Sequence, residues 1–600
     1  MRERLGLTLT LLCLGVGAVT AGTASGGPAA QVVVLTARTA SSAASARPLA
    51  NAPALVATRP ERSPATALVP SAARRSTSIP AVGFTQEGID RNDAKGVWDP
   101  ADVTLGVGPT YLGEAVNSAV GWWRIGAGFD ASGIRPLGEF FTTGNTNRKK
   151  DQMADPRLLY DPSSGHWFFT AFDITRGEIN LAVSTTSDPT RPFWIFTYQA
   201  GGCPDQPRLA VSGTMVALSY DVYPSCSKRT GPTSGGVLWV WSKQPLIKGA
   251  APQYTSYGPT PAIAGVTPAP SPGSGSAIYM LAADYTNSQV ILFTVSSVGE
   301  QTIPLKPVAI QPLRLAPSPP ERGSSAPLAP ASNRVQDAFF SGGHIWLAAN
   351  DGCSVPGPVP LQGCVRLVEL SPAGQVLSQV DQALANGRSA IAPAVRPDGH
   401  GHVFSVFGYS SPRDYPGLAA TVDPAVSNAY LQLKPGQAAD RSGHWGDYFA
   451  AARDPRHSNR VWVAGAYGRP GGWGTYIAAL STTPFSIPRP GGTPAGTRDR
   501  TPPRVSAIRS AGVRGRPVLL RYRLSDNSRR VRTSISVRRL GHVVAVVQTP
   551  LQRIVNGRAY WATWRAPRTA PTALTFCVIA FDGSGNRSKP SCAPLRLSAA

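Results

Sequence analysis

The stretch PRLLYDPSSGHWFFTAFDITRGEINLAVSTTSDPTRPFWIFTYQ, residues 156–199, holds four short runs of strand-forming residues. They are PRLLYD, WFFTAFD, INLAVST and WIFTYQ, and Gly, Pro, Asp or Ser separates each from the next. β-Branched and aromatic side chains suit a pleated surface, and the separating residues supply the backbone conformations that reverse a chain. No 3.6-residue periodicity runs through the stretch. It predicts one four-stranded antiparallel sheet.

The second run has six counterparts. YLGEAVNS starts at Tyr111, VALSYDVY at Val216, IYMLAADYT at Ile278, IWLAAND at Ile345, VFSVFGYS at Val403 and VWVAGAYG at Val461. Including Trp167, the steps run from 49 to 67 residues, each long enough for four short strands. Four strands repeated at this period define a β-propeller, and seven copies predict seven blades over residues 78–484. The last unit supplies only GDYFAAAR, VWVAGAY and GTYIAAL. SIPAVGFT, Ser78–Thr85, is a strand left over at the other end, expected to pair with Thr475–Leu480 and close the ring.

The flanks differ in kind. Arg2 and Arg4 precede an apolar run from Leu5 to Val19, and Ala21 or Ala24 offers a cleavage site. Residues 1–24 therefore read as a secretory signal, too short for a membrane span. Residues 25–77 lack any Phe, Trp or Tyr and read as a disordered Ala/Ser/Pro/Arg linker. A second linker occupies residues 485–502. Residues 503–600, with TPPRVSAI, PVLLRYRLSD, SISVRRL, VVAVVQ, AYWATWRAP and LTFCVIAFDGSGN, read as an immunoglobulin-like β-sandwich.

Removing Cys13 with the signal leaves Cys203, Cys226, Cys353, Cys364, Cys577 and Cys592. Six cysteines allow 15 connectivities, and chain order offers three local closures, 203–226, 353–364 and 577–592. An even count in an exported chain favours disulfides over metal, and no zinc spacing occurs. No cofactor is expected. The formal net charge is +24. Residues 501–600 contribute most of it, with 17 Arg and one Lys against Asp526 and Asp582.

DPRLLYDPSSGHWF (Asp155–Phe168), GDYFAAARDPRHSNRVWVAGAYG (Gly446–Gly468) and WGTYIAAL (Trp473–Leu480) resemble secreted bacterial propellers of the sialidase-like, Asp-box type. The tail from TPPRV to DGSGNRS resembles the Ig-like or fibronectin-type modules appended to them. The resemblance implies a fold. The Asp-box survives only as echoes, Ser187–Asp188…Trp194 and Asp161…Gly165…Trp167. Neither a substrate-arginine motif nor a Tyr/Glu nucleophile pair is recognisable.

In a propeller, the loops after second strands share a face with the inter-blade connections. That face gathers Asn117, Asp173, Asp221, Tyr223, Asp284, Tyr285, Asn350, Asp351, Tyr409 and Tyr467, with Asp155, Arg157, Asp205, Arg208, Arg334, Asp337, Arg388, His444 and Asp447 from the connections. Carboxylates, guanidinium forks and aromatic faces suit glycan or protein recognition. The competing structural reading makes these residues turn caps and inter-blade locks. In the tail, Arg521, Arg523, Arg529, Arg530, Arg532, Arg538 and Arg539 are expected to share a sheet face and bind an anionic cell-surface polymer. No specific nucleic acid and no membrane span are expected. The first reading is a secreted, monomeric, non-catalytic binding protein, possessing an envelope anchor in its tail. The alternative is a sialidase-like glycoside hydrolase or lyase that uses paired carboxylates in the central pocket.

Overall fold

The computed structural model describes residues 38–40, 79–487 and 501–599, apart from 95–98, 131–132, 143–151, 227–232, 251, 274, 330–332, 356–360, 425–428, 528–529, 550 and 583–585. The signal, Ser78, most of both linkers and Arg529 lie outside the described residues. The chain divides into two compact units, residues 1–490 and 491–600.

The first unit is nearly all β and has the sheet architecture of a β-propeller. Seven antiparallel four-stranded sheets occur among the described residues, six of them built from four strands consecutive in the chain. One gains a fifth strand, Arg38–Ala40, paired with Tyr254–Thr260 inside the stretch expected to be disordered. The seven sequence copies all fall on second strands. These are Tyr111–Val116, His166–Asp173, Met215–Tyr223, Ile278–Asp284, His344–Cys353, Val403–Ser411 and Val461–Arg469. The strand left over pairs as expected, though it starts at Ala81 and runs on to Asp90. Ala81 faces Ser481, Thr85 faces Ala478 and Asp90 faces Gly474, so both ends of the unit share one sheet.

Burial explains why these strands read as unbroken apolar runs. Met215–Tyr223 and Val403–Ser411 are buried at almost every position, because each sheet is covered on both faces by its neighbours. Trp167 shows how close the packing is. It is fully buried, and a Cβ added at Gly106 or Gly108 would lie 2.7 or 2.6 Å from its indole. Only glycine lets the first sheet's backbone approach the ring that closely.

The second unit follows the other pattern. Pro517–Ser525 alternates exposed and buried residues strictly, as expected for a sheet with one solvated face. Its three-stranded sheet joins Arg504–Ile508, Pro517–Ser525 and Ala559–Arg565. A larger sheet contains Ser510–Val513, Ser591–Ser598, Ala573–Asp582, Arg530–Arg539 and His542–Gln548, with Gln552–Arg553 beside Arg530–Arg539. Leu520, Tyr522 and Trp564 of the first sheet share a core with Ile535, Phe576 and Leu595 of the second.

The three expected disulfides are present: Cys203–Cys226, Cys353–Cys364 and Cys577–Cys592. Among the described residues no helix is long and apolar enough to cross a membrane.

Candidate functional site

The first strands of the seven sheets are Thr104–Val107, Met153–Asp161, Cys203–Val211, Thr267–Pro268, Val335–Ser341, Ser389–Pro397 and Ala450–Arg453. Each touches the next, and the seventh touches the first. Just before or within six of them stands a residue in the left-handed region: Asp102 (φ 49°), Asp155 (51°), Gln206 (48°), Gly265 (66°), Ala392 (52°) and Gly446 (50°). A β-branched residue would be strained there, and non-glycine residues tolerate it only where neighbours hold the conformation. The holding bonds recur. The Asp155 N–H donates to Asn117 Oδ1 at 2.7 Å, Gly265 N–H to Asp221 Oδ1 at 2.9 Å, and Ala392 N–H to Asn350 Oδ1 at 2.9 Å. Gln206 N–H donates to Asp155 Oδ2 at 2.9 Å. A polar side chain ending one sheet's second strand thus latches the next sheet's first strand. The register slips beside Arg157, Arg208 and Ala394, a bulge that re-aims the residues after it.

Those residues line a central cavity of about 470 Å³. Thr104, Arg157, Arg208, Thr267, Gln336, Arg396 and Ala450 each come from a different first strand. The cavity continues to Pro162, Pro272, Gly399, Arg456 and Ser458, in the loops between first and second strands. That end lies opposite the loops singled out from the sequence.

Many polar groups around the cavity have no protein partner among the described residues. They include Arg157 Nη2, Arg208 Nε and Nη2 and both amide atoms of Gln336; Tyr448 Oη and Asp102 Oδ1, which do not line the cavity, are likewise without a partner. Gln336 is 2% exposed, Arg208 5%. The guanidinium of Arg157 lies 3.2 Å from the Tyr448 ring centroid and that of Arg208 4.9 Å. Arg157 is fixed by one bond, Nε to Pro207 O at 2.7 Å. Lower in the channel the arginines are satisfied. Arg396 donates to Ala451 O at 2.8 Å and to Asp337 at 3.1 Å. Arg453 reaches Pro397 O, Ser341 Oγ and Asp398 O. The two guanidiniums lie 4.4 and 4.9 Å from the Phe339 ring centroid.

Burial and like charge set the protonation of the acids. Asp102 is raised well above the ordinary carboxylate range by burial, and by Asp447 and Asp155. Asp447 is raised by burial, with Asp155 adding to it and His444 opposing. Burial raises Asp337, against the Arg396 charge. Arg453 is lowered to about 10 by burial and by Arg396.

The residues singled out from the sequence separate into several groups. Arg157, Arg208 and Asp337 line the cavity, and Asp155 and Asp447 act on Asp102 above it. Asn117, Asp221 and Asn350 are latches, and Asp221 also pairs with Arg334 at 3.0 Å. Asp173 accepts from the Arg176 N–H at 3.2 Å. Asp284 caps the turn at Thr286 and Asn287. Tyr285 donates to the Asn350 carbonyl. Asp351 pairs with Arg366 at 2.7 Å, and Tyr467 donates to Glu87 at 2.8 Å. Tyr409 is buried, while His444 is exposed. Asp205 and Tyr223 lie in ladder register with Asp221 and Cys203. Asp102, Gln336, Tyr448, Arg396 and Arg453 had not been singled out. The phrases Asp155-Pro-Arg, Gln206-Pro-Arg and Ala392-Pro-Ala mark the bulge and hold the missing signal.

Asp351, Cys353, Cys364 and Asp381 converge. Their sulfurs form a disulfide, and Arg366 pairs with both carboxylates.

In the tail the arginines do not share one sheet. Arg521 and Arg523 lie on the three-stranded sheet, whereas Arg530, Arg532, Arg538 and Arg539 lie on the larger one. The turn after Ser525 carries the chain across to the other sheet, which separates sequence neighbours.

No family model matches this chain, and no curated protein matches it. Among solved structures, a protein of unknown function from Dyadobacter fermentans is 11% identical with a TM-score of 0.31, covering 68% of this chain and 98% of that one. Drosophila Semaphorin 2a is 6% identical with a TM-score of 0.34, covering 88% and 100%. A subtype N10 neuraminidase-like protein of A/little yellow-shouldered bat/Guatemala is 9% identical with a TM-score of 0.30, covering 56% and 95%.

Proposed function

We propose that this chain is an exported binding protein whose seven sheets form a seven-bladed propeller and whose central channel takes a glycan. Pairing of Ala81–Asp90 with Gly472–Ser481 supports ring closure. The two sheets of the tail around one core support an Ig-like sandwich, and three disulfides fit an oxidising compartment.

One observation carries the ligand class. The unpartnered groups on residues lining the cavity are of both kinds: donors on Arg157, Arg208 and Gln336, and an acceptor on Gln336. Sugar hydroxyls donate and accept at the same atom, so a polyhydroxylated ligand satisfies such a mixture where a simple anion or cation leaves half of it bare. The cavity volume lies within the usual range for small-ligand sites. Tyr448 and Phe339 hold the arginines rigid, which lowers the ordering cost of binding.

A glycoside hydrolase is the second reading, favoured by the raised Asp102 and Asp447, since a general acid must hold its proton near neutral pH. A glycan array run beside a fluorogenic glycoside panel tests both. Binding that Gln336→Met abolishes, without turnover, supports the binding protein. Turnover that Asp102→Asn abolishes supports the hydrolase instead. No hit on either sinks the channel as a glycan site.

A further inference from the structure

The tail domain's charge is one-sided. Its two acids, Asp526 and Asp582, are buried at 6% and 4% exposure, so every exposed charged side chain among its described residues is basic. On the outer face of the three-stranded sheet, Arg521 stands opposite Trp561, Arg565 opposite Pro517, and Arg504 opposite Ser525. Arg523 follows Arg521 on the same face, all four arginines being exposed. Trp561 is 62% exposed and Leu519 40%. An indole that open is costly to leave in water and is the residue type that stacks on flat ligand faces. By contrast, Arg532 on the larger sheet already covers an aromatic ring, Phe581, at 4.3 Å.

We propose that this face binds an acidic polysaccharide, with Trp561 stacking on a sugar ring and Arg521, Arg523 and Arg565 pairing with carboxylates or sulfates. The inference rests on the reading of the tail as an anchor to anionic polymer, and it names the face and the polymer's chemistry. Same-face positions repeat at about 7 Å along a strand and about 5 Å across strands, so a sugar over Trp561 has guanidinium groups within reach. A polyol phosphate chain has the charge but no ring to stack, and it leaves the indole unused. Nucleic acid offers bases and phosphates, but the three disulfides favour an oxidising compartment over a nucleic-acid-rich one.

The test uses the full mature chain on immobilised polygalacturonate, polyphosphate and single-stranded DNA at 50 and 300 mM salt. Polygalacturonate binding should be the tightest and weaken at least tenfold at the higher salt. Trp561→Ala should weaken polygalacturonate binding about tenfold while changing polyphosphate binding less than twofold, and Trp561→Phe should restore part of it. Arg521→Gln with Arg523→Gln should weaken both, and Arg530→Gln with Arg532→Gln on the other sheet should change neither more than twofold. Full affinity in Trp561→Ala, or equal losses from both arginine pairs, overturns the face and leaves the anchor standing. Failure of the unaltered chain to bind any of the three polymers overturns the anchor reading itself. Tighter binding to DNA replaces the polysaccharide with nucleic acid.

Discussion

Gln336→Met should stabilise the propeller unit while destroying its ligand site. Gln336 is 2% exposed and both its amide atoms lack a protein partner. A buried polar group left unpaired costs about 1–3 kcal/mol, and an apolar side chain of the same shape removes that cost. Met is unbranched, like Gln, and fills nearly the same volume, so little cavity term is added. The net expectation is a gain of about 1–2 kcal/mol. At about 2.1 cal/mol/K per residue, a unit of roughly 400 residues has an unfolding entropy near 0.8 kcal/mol/K, so each kcal/mol moves Tm by about 1 °C. Calorimetry and urea titration should place the variant about 1–2 °C higher with an unchanged m-value. The ordinary core substitution goes the other way by about 1 kcal/mol, so the sign decides. A loss above 1 kcal/mol means that Gln336 is fully paired in the folded chain, and the reasoning from unpartnered groups fails.

The other expectations concern closure, pH and crosslinks. Deleting residues 81–90 should lower Tm sharply, because it exposes the edge that Gly472–Ser481 now buries; an unchanged melting curve refutes the closure. Glu114, buried and accepting from Ile89 N–H at 2.8 Å, is raised by burial from 4.5 to about 7. The folded state therefore holds a proton that the unfolded state releases near 4.5, and stability should fall by about 3 kcal/mol as pH rises from 4.5 to 7. Glu114→Gln should flatten that slope in urea titrations across the window, and an unaltered slope assigns it elsewhere. Loss of Cys577–Cys592, which spans 15 residues, should cost the tail about 3 kcal/mol, and a tail transition that ignores reductant contradicts this.

The repeat was legible because sheets covered on both faces need apolar residues at consecutive positions, and VALSYDVY or VFSVFGYS is hard to build into anything else. The same logic made closure legible, since a unit short of one strand and a strand short of a unit are complementary. The tail was readable by its alternation in PVLLRYRLS. What did not transfer was the assignment of arginines to faces. Alternation fixes which side of its own sheet a residue takes, but the chain crosses between sheets after Ser525, and a run such as Arg521 to Arg532 divides there.

The candidate site shows a deeper limit. Asn117, Asp221 and Asn350 end second strands as polar residues, as a ligand face requires, yet each is consumed in holding a left-handed residue of the next sheet. A latch and a ligand contact need the same side-chain chemistry at the same place, so residue type at a strand end cannot separate them. Unsatisfied bonding capacity can. Arg157 and Arg208 follow bulges held through Asn117 and Asp155, Gln336 sits within the register slip of the fifth sheet's first strand, and there the donors and acceptors outnumber their protein partners. Natural folds keep such groups where function offsets their cost. The latches are thus the device that aims the channel residues. Removing one, as in Asn350→Ala, should free the Ala392 N–H and relax the sixth sheet's first strand, loosening Arg396 from Asp337. Ligand affinity should then fall although Asn350 touches no ligand. Unchanged affinity in that variant, with the expected loss of about 1–3 kcal/mol in stability, would separate the latch from the site.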